Sequence, residues 1–182
     1  MKGSGITNTK RLVGTALFAA LAYVTSFLEF PIFPVAPFLK LDFSAVFIAL
    51  SAFIFGPLSG VATCFIKELI AWLTKSSTGG IGEIANFIII TGYIIIPAVV
   101  YVYKKGLLTV IVTLIIGCLI QVALALLSNR FIMFPMFFGT EAVAWFKDLW
   151  VFVACFNLIK GVAISTVTIL LYKRISKFIK SI

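Results

Sequence analysis

The chain has 182 residues, 62% of them hydrophobic and 12% charged, with a mean hydropathy of +1.20 and a formal net charge of +9. A soluble domain is about half apolar and a quarter charged, so these values exclude a soluble globular fold and point to an integral membrane protein. The basic residues separate or follow the apolar runs, as Lys10–Arg11, Lys104–Lys105 and Lys173–Arg174 do; that is the positive-inside arrangement, not a nucleic-acid surface.

The first apolar run extends from Leu12 to Leu28 and leads into the proline-rich "EFPIFPVAP". It has no clear cleavage site, so it reads as an uncleaved first helix over about 11–30. Ala16 and Ala20 lie one turn apart within it. Such a small-xxx-small pair lets another helix come close, and that helix can belong to this chain or to a partner.

The next run, Phe43 to about Leu73, would be roughly 46 Å long as one helix at 1.5 Å per residue. A hydrocarbon core is only about 30 Å thick. "FGPLSG" supplies the break: Gly56 suits the end of one helix and Pro57 the first turn of the next. Two short helices follow, 43–55 and 57–74, whose shortness implies tilt, burial or incomplete crossing. Asp42 and Ser44 are cap types for the first of them. Lys67 and Glu68 fall inside the second.

The fourth helix, 82–103, follows the hydroxyl- and glycine-rich "SSTGG". Glu83 near its start suits the helix dipole, and Asn86 can bond across helices. The fifth helix, 107–128, ends in "LSNRFIMFP", where Asn129 reads as a helix cap when taken alone.

The sixth helix, 149–173, contains "CFNLIKGVAIS", and Lys160 is the only charge in its apolar run. A charge at mid-bilayer costs roughly 2.5–3.5 kcal/mol on insertion scales. Asn157, Lys160 and Ile164 share one helix face, and Gly161 beside them admits a close neighbour. An intramembrane lysine points to a ligand site; the competing explanations are an internal pair with Glu68, or snorkelling.

Residues 1–182 thus read as a single all-α membrane domain of six transmembrane helices. Both termini, with Lys173, Arg174, Lys177 and Lys180 at the C-terminal end, fall in the cytoplasm. The loops at about 31–42, 74–83 and 128–148 face outside. Cys64, Cys118 and Cys155 lie in apolar runs without metal-ligand spacing and read as packing residues. The absence of histidine removes imidazole acid–base chemistry. There is no phosphate-binding Gly-Lys-Ser/Thr loop and no carboxylate pair. What remains is a receptor for a small, flat, uncharged ligand near the outer face.

The ordered segments "FPIFPVAPFLKLDFSAV", "FGPLSG", "IKELI…SSTGGIGEIANF", "LSNRFIMFP" and "FNLIKG" resemble those of the riboflavin-specific S components of energy-coupling factor (ECF) vitamin transporters. The resemblance covers nearly the whole chain. It implies a multi-pass protein of the cell membrane that is not an enzyme, has no cofactor, and carries riboflavin as its transported ligand. It implies flavin hydrogen bonds from Asn129, Asn157 and Lys160, and main-chain contacts near Leu41 and Thr78. It also implies that Ala16 and Ala20 dock a transmembrane T subunit, which works with two ATPases while the S component topples to release the vitamin inside. Relatives often carry asparagine where Glu68 stands, a departure that bears on whether position 68 meets the ligand. The competing readings are an S component for FMN or another vitamin, a purely structural subunit, and a small intramembrane enzyme.

Overall fold

A computed structural model describes residues 8–179, which are almost wholly helical. Helix α1 is Asn8–Thr25 and is followed by two short antiparallel strands, β1 (Phe30–Pro31) and β2 (Lys40–Leu41). Helices α2 (Ser44–Phe55), α3 (Pro57–Lys75), α4 (Ile81–Tyr103) and α5 (Leu107–Ser128) come next. A π-helical turn (Asn129–Met133), a short α6 (Phe134–Phe138) and a 3-10 turn (Gly139–Glu141) then lead into α7, Ala142–Ile179. The sixth predicted helix is therefore α7.

The predicted bounds of the second to fifth helices fall within one residue of α2 to α5, whereas the first helix begins earlier, at Asn8, the sixth runs on to Ile179, and two further corrections apply. The first helix stops at Thr25 rather than near residue 30, because the chain turns off to build the β1–β2 pair. The connection at 128–148 is not an open loop. Its π-helical turn, α6 and the first turns of α7 are helical almost throughout, so α7 begins at Ala142 and not at residue 149.

Helix α2 is the centre of the bundle. It has only 12 residues, and nine of its side chains, from Ser44 to Phe53, are buried. It packs against α1, α3, α4 and α7. Burial on all sides, rather than tilt, is thus the use of this short apolar helix. Gly56 ends it at φ +97°, a conformation that favours glycine, and Pro57 starts α3 at once. The two helices then lie very close: a Cβ at Gly60 would fall 2.5 Å from that of Ala52. Inside this contact Ser51 and Thr63 share a 2.8 Å hydroxyl hydrogen bond. Such bonds between membrane helices average about 0.6 kcal/mol.

The remaining helices present stripes at helical spacing. Helix α1 buries Thr15, Ala19 and Ala22, and Ser26 just beyond it. Helix α7 buries Leu149, Val153, Phe156, Asn157, Lys160, Ile164 and Thr168. Tyr93 of α4 meets Ser165 of α7 through their hydroxyls at 2.8 Å. At one end of the bundle the Arg11 guanidinium donates to Ser59 Oγ at 2.9 Å, and the Tyr101 and Tyr172 hydroxyls are bonded. At the other end Lys75 Nζ donates to the Ser26 carbonyl at 2.6 Å. Leucines such as Leu12, Leu17, Leu58, Leu108 and Leu119 face outward. Among the described residues two stretches, Ile81–Tyr103 and Leu107–Tyr172, are long and apolar enough to cross a membrane.

Candidate ligand-binding site

A cavity of about 570 Å³ opens at the end of the bundle that holds β1–β2 and the α3–α4 turn. That volume lies within the range of small-molecule sites, roughly 300–1,000 Å³. Phe38, Ile89, Met133, Phe134, Phe138 and Phe156 supply apolar walls. The π-helical turn and α6 matter here. They fold Met133, Phe134 and Phe138 over the site, which a plain loop would not do.

Lys160 reaches the cavity from α7, 6% exposed. Its ammonium donates to Asp42 Oδ2 at 3.1 Å. The expected alternative partner, Glu68, is not its partner: Glu68 is bonded by Lys67 at 2.9 Å and by Asn86. Nor does Lys160 snorkel, since it is buried. The physical reason is position. Asp42 stands just ahead of α2, the helix against which α7 packs, while Lys67 precedes Glu68 on the same helix and takes its carboxylate locally. Asp42 has a second role of the capping kind, because its Oδ1 accepts the Ser44 backbone N–H at 2.8 Å. Burial pushes the Asp42 carboxyl up, but the ammonium groups of Lys160 and Lys67, with the Ser44 bonds, outweigh it and hold the carboxyl well below the usual range. The pair's contribution to stability is therefore complete above about pH 3.9, the ordinary aspartate value, and is lost as pH falls from there through the depressed folded value.

Asn157 and Asn129 also line the cavity, each 5% exposed. Each turns its amide N–H back to a carbonyl four residues earlier, Val153 at 2.9 Å and Ala125 at 2.8 Å. Their side-chain oxygens are left as acceptors. Asn129 stands at the end of α5, as a cap reading expects, and faces the site as well. Gly161 admits its neighbour as expected: a Cβ there would lie 2.9 Å from Cys118 Sγ. That closeness sets α5 tightly against α7, with Gln121 Nε2 donating to the Asn157 carbonyl at 3.3 Å.

Thr78 lines the cavity from the α3–α4 turn. Its hydroxyl donates to Glu83 Oε2 at 3.0 Å, and Ser76 donates to the same oxygen at 3.0 Å. Glu83 thus sits in the first turn of α4, as the dipole argument expects, and also ties down the turn. Leu41 is different. It is buried in the core with Leu39, Ile89 and Phe134, while its neighbours Lys40 and Asp42 line the cavity. Ala16 and Ala20 are exposed on α1, on the flank of its buried stripe, and do not pack inside the bundle.

Three features were missed from sequence. Asp42 read only as a cap, since nothing local links it to a lysine 118 residues away. Lys67 read as an unremarked helix residue. At the mouth, Glu29 takes Lys40 at 2.8 Å and Lys75 at 3.7 Å, fastening the β1–β2 segment to the end of α3.

The sequence matches the family model described as "ECF transporter, substrate-specific component" over residues 10–172. It is 33% identical to the riboflavin transporter RibU of Staphylococcus aureus, with 95% of this chain and 94% of that protein covered. It is 30% identical to the riboflavin transporter FmnP of Bacillus subtilis, covering 94% of each. Among solved structures, the S component of a bacterial ECF transporter superposes with a TM-score of 0.82 at 32% identity, over 96% of this chain and 99% of that one.

Proposed function

Because this chain belongs to the substrate-specific components of ECF transporters, we propose that it is the riboflavin-binding S component of such an importer, capturing the vitamin at the outer face of the cell membrane. The family is one of membrane transporter components, so the enzyme reading is set aside. The observation that carries the choice of ligand is the convergence of Asn129, Asn157 and Lys160 on one aromatic-walled cavity, in a chain whose relatives are riboflavin transporters.

The chemistry fits. An isoalloxazine ring has apolar faces that Phe134, Phe138 and Phe156 can cover. Its edge carries carbonyls and an N–H. The two remaining Lys160 donors and the asparagine amides match that edge. The Thr78 turn and the backbone around Leu41 border the ligand. A T subunit docks on Ala16 and Ala20, and two ATPases drive delivery to the cytoplasm. Expressed with those partners in cells unable to make riboflavin, the chain is expected to restore growth on low external riboflavin. Growth restored by no flavin but by another vitamin assigns it to that vitamin instead.

In this reading the six helices α1, α2, α3, α4, α5 and α7 make one membrane domain with both termini inside. Reporter fusions after Lys105 and after Lys180 are expected to read as cytoplasmic; Lys180 lies outside the described residues. An external signal at either site breaks the parity on which the cavity's outward orientation rests.

A further inference from the structure

Four carboxylates and four ammonium groups line the cavity, and each ammonium already faces a carboxylate. Lys160 is held by Asp42 and Lys67 by Glu68, while Lys40 and Lys75 share Glu29. Glu83 is bonded by hydroxyls alone among the described residues. An anionic ligand group would thus enter a charge-balanced space with no spare cation among the described residues that line it.

Glu68 is the deepest of the acidic groups on the α3–α4 side, 5% exposed. Lys67 and Asn86 both donate to its Oε1. Its Oε2 has no hydrogen bond among the described residues, in a side chain that lines the cavity. A carboxylate oxygen left without a donor in a buried site accepts an N–H or O–H readily and repels an anion.

We propose that Glu68 sets the charge selectivity of this site, its free oxygen accepting a hydrogen bond from an uncharged flavin and disfavouring the 5′-phosphate form. The inference rests on the riboflavin reading above and goes further, naming the residue that separates riboflavin from FMN. A phosphate monoester carries about −1.5 to −2 charges at pH 7. Removing one nearby carboxylate charge relieves FMN and not riboflavin. The test is equilibrium titration of purified wild-type, Glu68→Gln and Lys67→Met proteins with riboflavin and with FMN. Glu68→Gln keeps the shape and an acceptor oxygen, and should narrow the preference for riboflavin about tenfold, the equivalent of roughly 1.4 kcal/mol. Lys67→Met leaves Glu68 uncompensated and should widen it. Loss of packing in either variant would weaken both ligands together and leave the ratio alone, so the ratio isolates charge. If Glu68→Gln does not fold, the opposite shift in Lys67→Met decides the matter. An unchanged ratio overturns the proposal while leaving riboflavin binding standing. A wild-type protein that binds neither flavin overturns the ligand assignment itself.

Discussion

Lys160→Met is expected to weaken riboflavin binding by about ten- to a hundredfold, the loss of a charge-assisted hydrogen bond of roughly 1.5–3 kcal/mol. Methionine keeps most of the apolar stem, so the substitution removes mainly the ammonium. The ion pair adds a second effect. With Lys160 gone, the buried Asp42 carboxylate loses its closest cation, and breaking a buried pair from one side typically costs about 3–5 kcal/mol. The single variant is therefore expected to be less stable as well as weaker in binding. Asp42→Asn combined with Lys160→Met separates the two effects. It should recover much of the lost thermal stability, because no unpaired charge remains, yet still bind riboflavin poorly. If the double variant binds like the wild type, Lys160 serves the fold and not the ligand.

Tryptophan at Ala16 or Ala20 is expected to abolish riboflavin uptake in cells while leaving riboflavin binding by the purified protein intact. Both alanines are exposed on α1, on the flank of Thr15, Ala19 and Ala22, which pack inward. Neither lines the cavity. Two small side chains one turn apart let another helix approach closely, and association in lipid depends on such packing. An indole there holds the partner off. The T subunit and ATPases should then fail to copurify with either variant. Uptake that persists with both tryptophans would move the docking face elsewhere on the bundle. Binding lost along with uptake would show that the substitutions disturb the fold.

The sequence made the helices legible because membrane helices announce themselves through length and apolarity. The split at Gly56–Pro57 followed from comparing the length of the 43–73 run with a bilayer, and the helices begin and end there. Lys160 and Asn157 were legible for a related reason: polar groups in an apolar run demand an explanation. What stayed hidden was pairing across the chain. Asp42 looks like any residue ahead of a helix, and only the packing of α2 against α7 shows it as the counterion of Lys160. Glu68 was weighed as that counterion, but Lys67, its neighbour in sequence, holds its carboxylate. The connection after Asn129 read as a loop because its polar and turn-forming residues outweigh its aromatics in a sequence pattern. In the fold Phe134 is buried and lines the cavity with Phe137 and Phe138, and the segment that carries them is helical.

The claim that this chain captures riboflavin by itself is tested most directly by titrating the purified, detergent-solubilised protein, freed of endogenous ligand, with riboflavin and following the quenching of flavin fluorescence. Saturable quenching at one riboflavin per chain, weakened in Lys160→Met, is the predicted result. A riboflavin titration without saturable quenching, from protein that is folded and monodisperse, would contradict the account.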